Sequence, residues 1–216
     1  MSKLLGSVYI DTARVAILRE SSQKLWTAGS GKPLGLKIWG RNAKKAMQMV
    51  AEAYKLKFRP SHHQFSAFVK QDVVEIDAFL ESIRNENCWF MWSIIQDNSY
   101  DRLGWTNERK FQIDTKEPDV AYIVSTWGAD GMYPVFRLND GGIMIFFGEK
   151  INLTDLKMEV LDTFTLVEKT DWIAADPCYI QDDTLGVHFT LKPGNYRVEH
   201  MLVDNESLGI RIVIDK

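Results

Sequence analysis

Apolar positions in the first forty residues recur in short runs rich in Val, Ile, Leu and Tyr. "LLGSVYI" (4–10) and "RVAILR" (14–19) are separated by "DTA", and the turn-rich "TAGSGKP" (27–33) leads into "GLKIWG" (35–40). Runs of this length bounded by turn residues predict strands. The period then changes. Ala43, Ala46, Met47, Val50 and Tyr54 fall at i, i+3, i+4, i+7 and i+11, one apolar stripe of a helix that Asn42 can cap and that runs to about residue 57. Arg59-Pro60 ends the element, because proline disfavours helical geometry in the residue before it. Asp72 and Glu75 have capping-box spacing, and Val73, Ile76, Phe79, Leu80 and Ile83 form the apolar face of a second helix. "CWFMWSII" (88–95) lacks polar alternation, which predicts a central strand covered on both faces.

From about residue 119 onward the pattern is β throughout, with Gly- and Asp-rich turns. "LNDGGI" (138–143) is a hairpin signal between "MYPVFRL" and "IMIFFG". The polar "DRLGWTNERKFQIDTKEPD" (101–119) is the best boundary between halves. The expected fold is therefore α+β: an antiparallel sheet with two helices in the first half and a β-meander in the second. The expected domains are a basic α+β region, 1–117, and an acidic β-rich region, 118–216, which can share one core. Within the second half, "LGVHFTLK" and "NYRVEHML" read as a hairpin turning at Pro193-Gly194. The register that sets apolar against apolar places Glu199 beside His188 and puts His188 and His200 on opposite faces.

An internal repeat runs through the second half. "DGMYPVFRLNDGGIMIFF" (130–147) aligns with "PGNYRVEHMLVDNESLGIRIVI" (193–214), each with Gly, one residue, Tyr, one residue, Val, then a turn and an aliphatic strand. The spacing puts Tyr133 with Val135, and Tyr196 with Val198, on one sheet face. Together with "ADPCYI", these segments resemble an uncharacterised β-rich family of tailed-phage accessory and bacterial proteins, over about residues 122–214. The resemblance implies a fold and a phage-accessory setting, and no mechanism.

Charge changes the picture more than composition does. The net charge of −3 hides 13 Lys/Arg against 3 Asp/Glu in residues 1–70, and 13 against 26 in residues 71–216. Such a split can be the footprint of a polyanion or an acidic partner, or simply a solvated surface. Two cysteines, Cys88 and Cys178, make no disulfide framework and fit a reducing cytoplasm. The broken N-terminal apolar run is not expected to be a signal peptide, and no stretch reaches membrane-spanning length. The expectation is a cytoplasmic protein without a membrane partner.

Catalytic motifs are scarce. "ADPCY" sets an acid, a thiol and a phenol close together, but a cysteine nucleophile needs a base, and the register above keeps both second-half histidines from sharing one site. Asp176 reads as a turn acid accepting backbone N–H bonds, with Cys178 and Tyr179 filling gaps beneath it. His62-His63 lacks further ligands at metal spacing, Asp176, Asp182 and Asp183 lack calcium-loop spacing, and "GSGKP" lacks the elements of a phosphate loop. No cofactor is implied.

Binding remains. Trp89, Trp92 and Trp172 sit in strand-like core runs, whereas Trp26, Trp39, Trp105 and Trp127 adjoin Gly, Thr or charged residues and are expected to be partly exposed. The leading expectation is a non-catalytic intracellular binding protein, a phage accessory or counter-defence factor that inhibits a host protein, with Trp105, Trp127, Asp176 and Tyr179 as docking residues. An alternative is nucleic-acid binding through the basic segment 37–70, using Arg41, Lys44, Lys45, Lys55, Lys57 and Arg59, with Trp39, Phe58 and Phe65 as stacking rings. A second alternative is an enzyme acting on a nucleotide or a modified protein through His62, His63 or Cys178.

Overall fold

The two apolar periods read from the chain become a strand-rich molecule with few helices. The computed structural model describes residues 2–27, 32–61, 64–69, 72–106, 109–113, 120–126, 130–148, 155–182 and 184–215. Among the described residues lie fifteen strands, all in antiparallel sheets, and four helices, the first of them the single turn α1 (Glu20–Gln23). The chain divides into two compact units, residues 1–27 with 106–216, and residues 28–105. This replaces the expected division at 117/118. The first strands belong with the second half: β1 (Lys3–Ile10) pairs with β9 (Gly131–Arg137), and β2 (Arg14–Arg19) pairs with β8 (Val120–Ser125) and β12 (Thr170–Ala175). One junction does fall inside the predicted boundary segment, and the second, at 27/28, lies in the "TAGSGKP" turn region.

The larger unit is a two-layer β-sandwich. Its six-stranded sheet has the order β1, β9, β10 (Ile143–Phe146), β15 (Glu206–Ile214), β14 (Gly194–Val203), β11 (Lys157–Leu166). The five-stranded sheet has the order β13 (Val187–Leu191), β12, β2, β8, β7 (Lys110–Gln112). Alternate residues of both sheets point inward and form one core, including Val8, Ile10, Tyr133, Val135, Tyr196 and Val198 from one layer and Ile17, Tyr122, Trp172 and Phe189 from the other. Each such aliphatic or aromatic side chain contributes about 1.5–3 kcal/mol by leaving water. Phe164 lies between Trp172 and Tyr196, with ring centroids 5.3 and 5.5 Å away.

The second half is not a meander. The two repeat segments form hairpins, β9–β10 and β14–β15, which lie side by side through the β10–β15 pairing. Tyr133/Val135 and Tyr196/Val198 all point into the core, as the repeat spacing predicts. The turn at Asp204-Asn205 has positive φ at both residues (51° and 65°), the geometry that matches the twist of a two-residue hairpin. In contrast, β13 and β14 do not pair. The chain leaves one layer at Leu191 and enters the other at Gly194, so β13 lies beside β12 instead. The register argument for the histidines therefore fails. His188 is opposite Ile173, and its Nδ1 lies 2.6 Å from Glu20, not beside Glu199.

Residues 28–105 build a second sheet of order β4 (Arg59–Ser61), β5 (Gln64–Phe68), β3 (Pro33–Trp39), β6 (Met91–Gln96). With α2 (Ala43–Tyr54) after β3 and α3 (Val73–Ile83) after β5, the connectivity is β-α-β-β-α-β, a doubled split β-α-β of ferredoxin-like type. Both helices pack on one face: Ala43, Ala46 and Val50 of α2 and Ile76 and Leu80 of α3 meet Leu36 and Ile38. Asp72 caps α3, accepting from the Val74 N–H at 2.9 Å. Asn42 does not cap α2. Its side chain accepts from the Trp89 N–H at 2.9 Å instead, tying the helix start to the chain before β6. α2 ends earlier than Pro60 requires, because Lys55 turns left-handed at φ 56°. "CWFMWSII" is an edge strand rather than a central one, with Trp89 47% and Met91 38% exposed.

Candidate functional site

The Asp-Pro corner is a fastening between distant pieces of chain. β12 delivers Asp176 into the interior at zero exposure. One carboxylate oxygen accepts from the backbone N–H groups of Asp11 and Thr12, both at 2.8 Å, the other from the Cys178 N–H at 2.7 Å, and the Thr12 hydroxyl bonds at 2.9 Å. These donors compensate the cost of burying a charge. Trp26, fully buried contrary to expectation, donates its indole N–H to the Pro177 carbonyl at 2.9 Å and packs edge-on against Phe111. Cys178 is exposed and plugs no gap. Asp176 thus offers nothing to a partner, whereas Tyr179 stays at the surface beside Tyr9, ring centroids 6.2 Å apart. The Tyr179 hydroxyl donates to Asp11 at 2.8 Å, and that bond holds its ionisation up at about 12. Of the other expected docking residues, Trp127 lies outside the described residues. Trp105 belongs to α4 (Ser99–Thr106), and its side chain lies outside them too.

Tyr9 belongs to a larger feature, the outward face of the six-stranded sheet. Register places Leu4, Phe136, Met144, Arg211, Glu199 and Val160 in one row across all six strands. Tyr9 pairs with Met132 one end away on the same face. Leu4 (55%), Tyr9 (37%) and Met132 (61%) are exposed, and Phe136 and Met144 are half-buried. The β1–β9–β10 part is therefore apolar, rich in Met and aromatic rings. It meets a charged part where buried Glu199 accepts from Arg197 and Arg211. Met and aromatic side chains left on one sheet face are the types that protein contact sites favour. The signal was present in the sequence: "MYPVF" and "IMIFF" lack polar alternation. Continuous apolar runs ordinarily indicate a strand covered on both faces, which concealed the open one.

A second polar cluster resembles catalytic machinery without having its access. His200 Nε2 lies 2.8 Å from the Ser207 hydroxyl, and Nδ1 lies 4.0 Å from Glu159, which is itself paired with Arg109. His200 and Ser207 are 4% and 8% exposed. Burial first, then the Arg109 charge, pushes the His200 pKa down to about 4, leaving a weak base near neutral pH. Tyr122, donating to Asp162 at 2.7 Å, is raised by burial and that carboxylate. His62 and His63 lie outside the described residues. Among the described residues no group of three His, Cys, Asp or Glu side chains is placed to hold a metal ion. No described helix is long and apolar enough to cross a membrane. A hollow of about 260 Å³ is lined by Glu20, Gln23, Lys24 and Gln181.

The expected nucleic-acid residues do not gather on one surface. Lys44 and Lys45 are exposed on α2, and Lys55 and Lys57 follow it, on the helix layer and the chain leaving it. Arg41 is exposed before α2, while Arg59 lies in edge strand β4. Phe58 and Phe65 pack against the core beneath the helices, so neither offers a ring face for stacking. The charge split also softens: residues 28–105 hold 11 basic and 8 acidic side chains, the larger unit 15 and 21. Comparison with protein-family models, with curated protein sequences and with solved structures gives no match.

Proposed function

We propose that this is a non-catalytic binding protein whose larger unit docks a partner protein on the outward face of its six-stranded sheet. The observation that carries the reading is the apolar group on this face, with Leu4, Tyr9 and Met132 exposed, Phe136 and Met144 half-buried, and Tyr179 beside Tyr9. Met and aromatic side chains are the types enriched in interfaces, and burying them supplies most of the attraction. The larger unit carries an excess of acidic side chains, which favours a partner bearing an apolar patch on a basic surface. In its finer form, resting on the resemblance of residues 122–214, the protein is a phage-encoded factor that inhibits a host protein.

The test is a tagged pull-down from bacterial lysate, with and without nuclease, using the natural chain and a Leu4→Glu/Met132→Glu variant. Both positions are exposed, so the variant is expected to fold normally. The expected result is one stoichiometric protein that survives nuclease and moderate salt and is lost from the variant. Equal capture by the variant, or capture abolished by nuclease, overturns the reading.

A further inference from the structure

We infer that β6 is the seam of a homodimer, its outer edge pairing antiparallel with the β6 edge of a second copy of this chain. Edge strands present unpaired backbone N–H and C=O groups, and proteins blunt them with charge, proline, bulges or shortness. Among the described residues the three sheets end in six such strands. β4 has three residues and contains Arg59-Pro60, and β7 has three and contains Lys110. β1 starts at Lys3 and bulges between Leu4 and Gly6. β11 bulges between Val160 and Asp162 and carries Lys157, Glu159 and Asp162. At β13, Arg137 from the other layer donates to the Thr190 carbonyl at 2.7 Å. β6 alone reads MWSIIQ, with no charge, no proline and no bulge of its own.

The backbone fixes which groups are open. The Asp97 N–H donates to the Lys32 carbonyl at 2.7 Å, and the Gln96 N–H turns the other way, to Asp101 of α4 at 3.0 Å. Alternation along the strand then points the N–H and C=O groups of Trp92 and Ile94 outward and those of Ser93 toward β3. Since α4 occupies the edge at Gln96, pairing centres on Ser93. A two-fold axis beside Ser93 sets Trp92 opposite Ile94 of the second copy, and Ile94 opposite its Trp92. Ser93 is exposed, and Trp92 and Ile94 are half-buried. The strand is self-complementary about that point, two apolar residues, Ser93, then two apolar residues, as an isologous interface requires. Trp92 beside Ile94 is also a favourable cross-strand pair of aromatic and β-branched side chains. Charge agrees. The Trp92 indole donates to Asp77 at 2.6 Å, and the Arg84 guanidinium lies 4.8 Å from its ring centroid. Asp77 and Arg84 thus flank Trp92 on the side of α3 above this edge, about 10.5 Å apart along the helix. Reversal about Ser93 brings Asp77 of one copy level with Arg84 of the other. Glu81, between them, is already paired with Arg84 at 2.8 Å.

The experiment is sedimentation equilibrium of the full chain from about 5 to 500 μM. A short edge seam predicts a weak dimer, half-associated near about 50 μM. Ser93→Lys and Ser93→Glu each set like charges opposite one another at the axis, and each should weaken self-association about fivefold or more. Mixed in equal amounts, the two variants bring opposite charges together there and should associate at least as tightly as the natural chain. Ser93 is exposed, so both variants are expected to fold. Leu4→Glu/Met132→Glu, which alters the protein-docking face, should leave this dimer intact, so failure of that reading and failure of this one are told apart. Four results each overturn the inference. They are a natural chain monomeric up to about 500 μM, Ser93→Lys associating as the natural chain does, a mixture no tighter than either variant alone, and a dimer lost in Leu4→Glu/Met132→Glu.

Discussion

Two side chains show how single residues hold this fold. Asp176 is satisfied only because its two oxygens face donors from residues 165 and 164 positions away in sequence and from Cys178. Asp176→Asn would turn an amide N–H₂ toward these N–H groups whichever way it rotates. The variant is expected to lose about 3 kcal/mol, read as a lower urea midpoint at unchanged slope. His200 acts through pH. Its folded pKa of about 4 lies below the ordinary value of 6.5, so the unfolded chain binds the proton first. The stability it contributes is complete above about pH 6.5 and is lost as pH falls toward 4, by up to about 3 kcal/mol. Urea titrations between pH 7 and 4 should show this loss for the natural chain and a shallower one for His200→Gln. Identical pH profiles would mean that other groups carry the acid sensitivity. Asp176 was legible from sequence as a turn acid. The contact of His200 with Ser207 was not legible, because it depends on how β14 and β15 align.

Elements meet most tightly at the seam between the two repeat hairpins. A Cβ on Gly209 would lie 2.2 Å from the Ile145 carbonyl oxygen, and one on Gly142 would lie 2.2 Å from that of Ile212. Backbone cannot retreat there without breaking the β10–β15 ladder, and Gly209 also holds φ +154°. Gly209→Ala is expected to cost about 3 kcal/mol or prevent folding, whereas Gly6→Ala, whose Cβ would meet only Val187 methyls at 3.4 Å, should cost under about 1 kcal/mol. Thermal unfolding of both variants checks the contrast. The two repeat hairpins and both long helices were legible because turn residues and apolar period are local properties, whereas the hairpin expected at Pro193-Gly194 does not form. "LNDGGI" turns as expected, and the stripe from Ala43 to Tyr54 faces the core. The placing of "CWFMWSII" at an edge was not, since an apolar run looks the same whether one of its faces is covered or both.

At the scale of the molecule, residues 28–105 have their own sheet, two packed helices and a separate core. That segment is expected to fold alone, with a cooperative thermal transition and dispersed amide resonances. A molten spectrum would show that its core depends on the rest of the chain. The larger unit is assembled from both ends of the sequence, which neither the charge split at residue 70 nor the change to a β pattern near residue 119 reveals. Charge is a sum over neighbours in sequence, whereas a sandwich is built from neighbours in space.

The sequence by itself determined most strands, both long helices, the repeat hairpins and the inward side of Tyr133, Val135, Tyr196 and Val198. Those follow from side-chain period and turn chemistry, which act over a few residues. Only the tertiary structure decided that β1 and β2 join the second half, that β13 and β14 enter different layers, and which apolar faces stay open. A strand's period of two names its faces but not its partner. Which strand lies beside it, and whether anything covers its second face, depends on contacts between residues far apart along the chain.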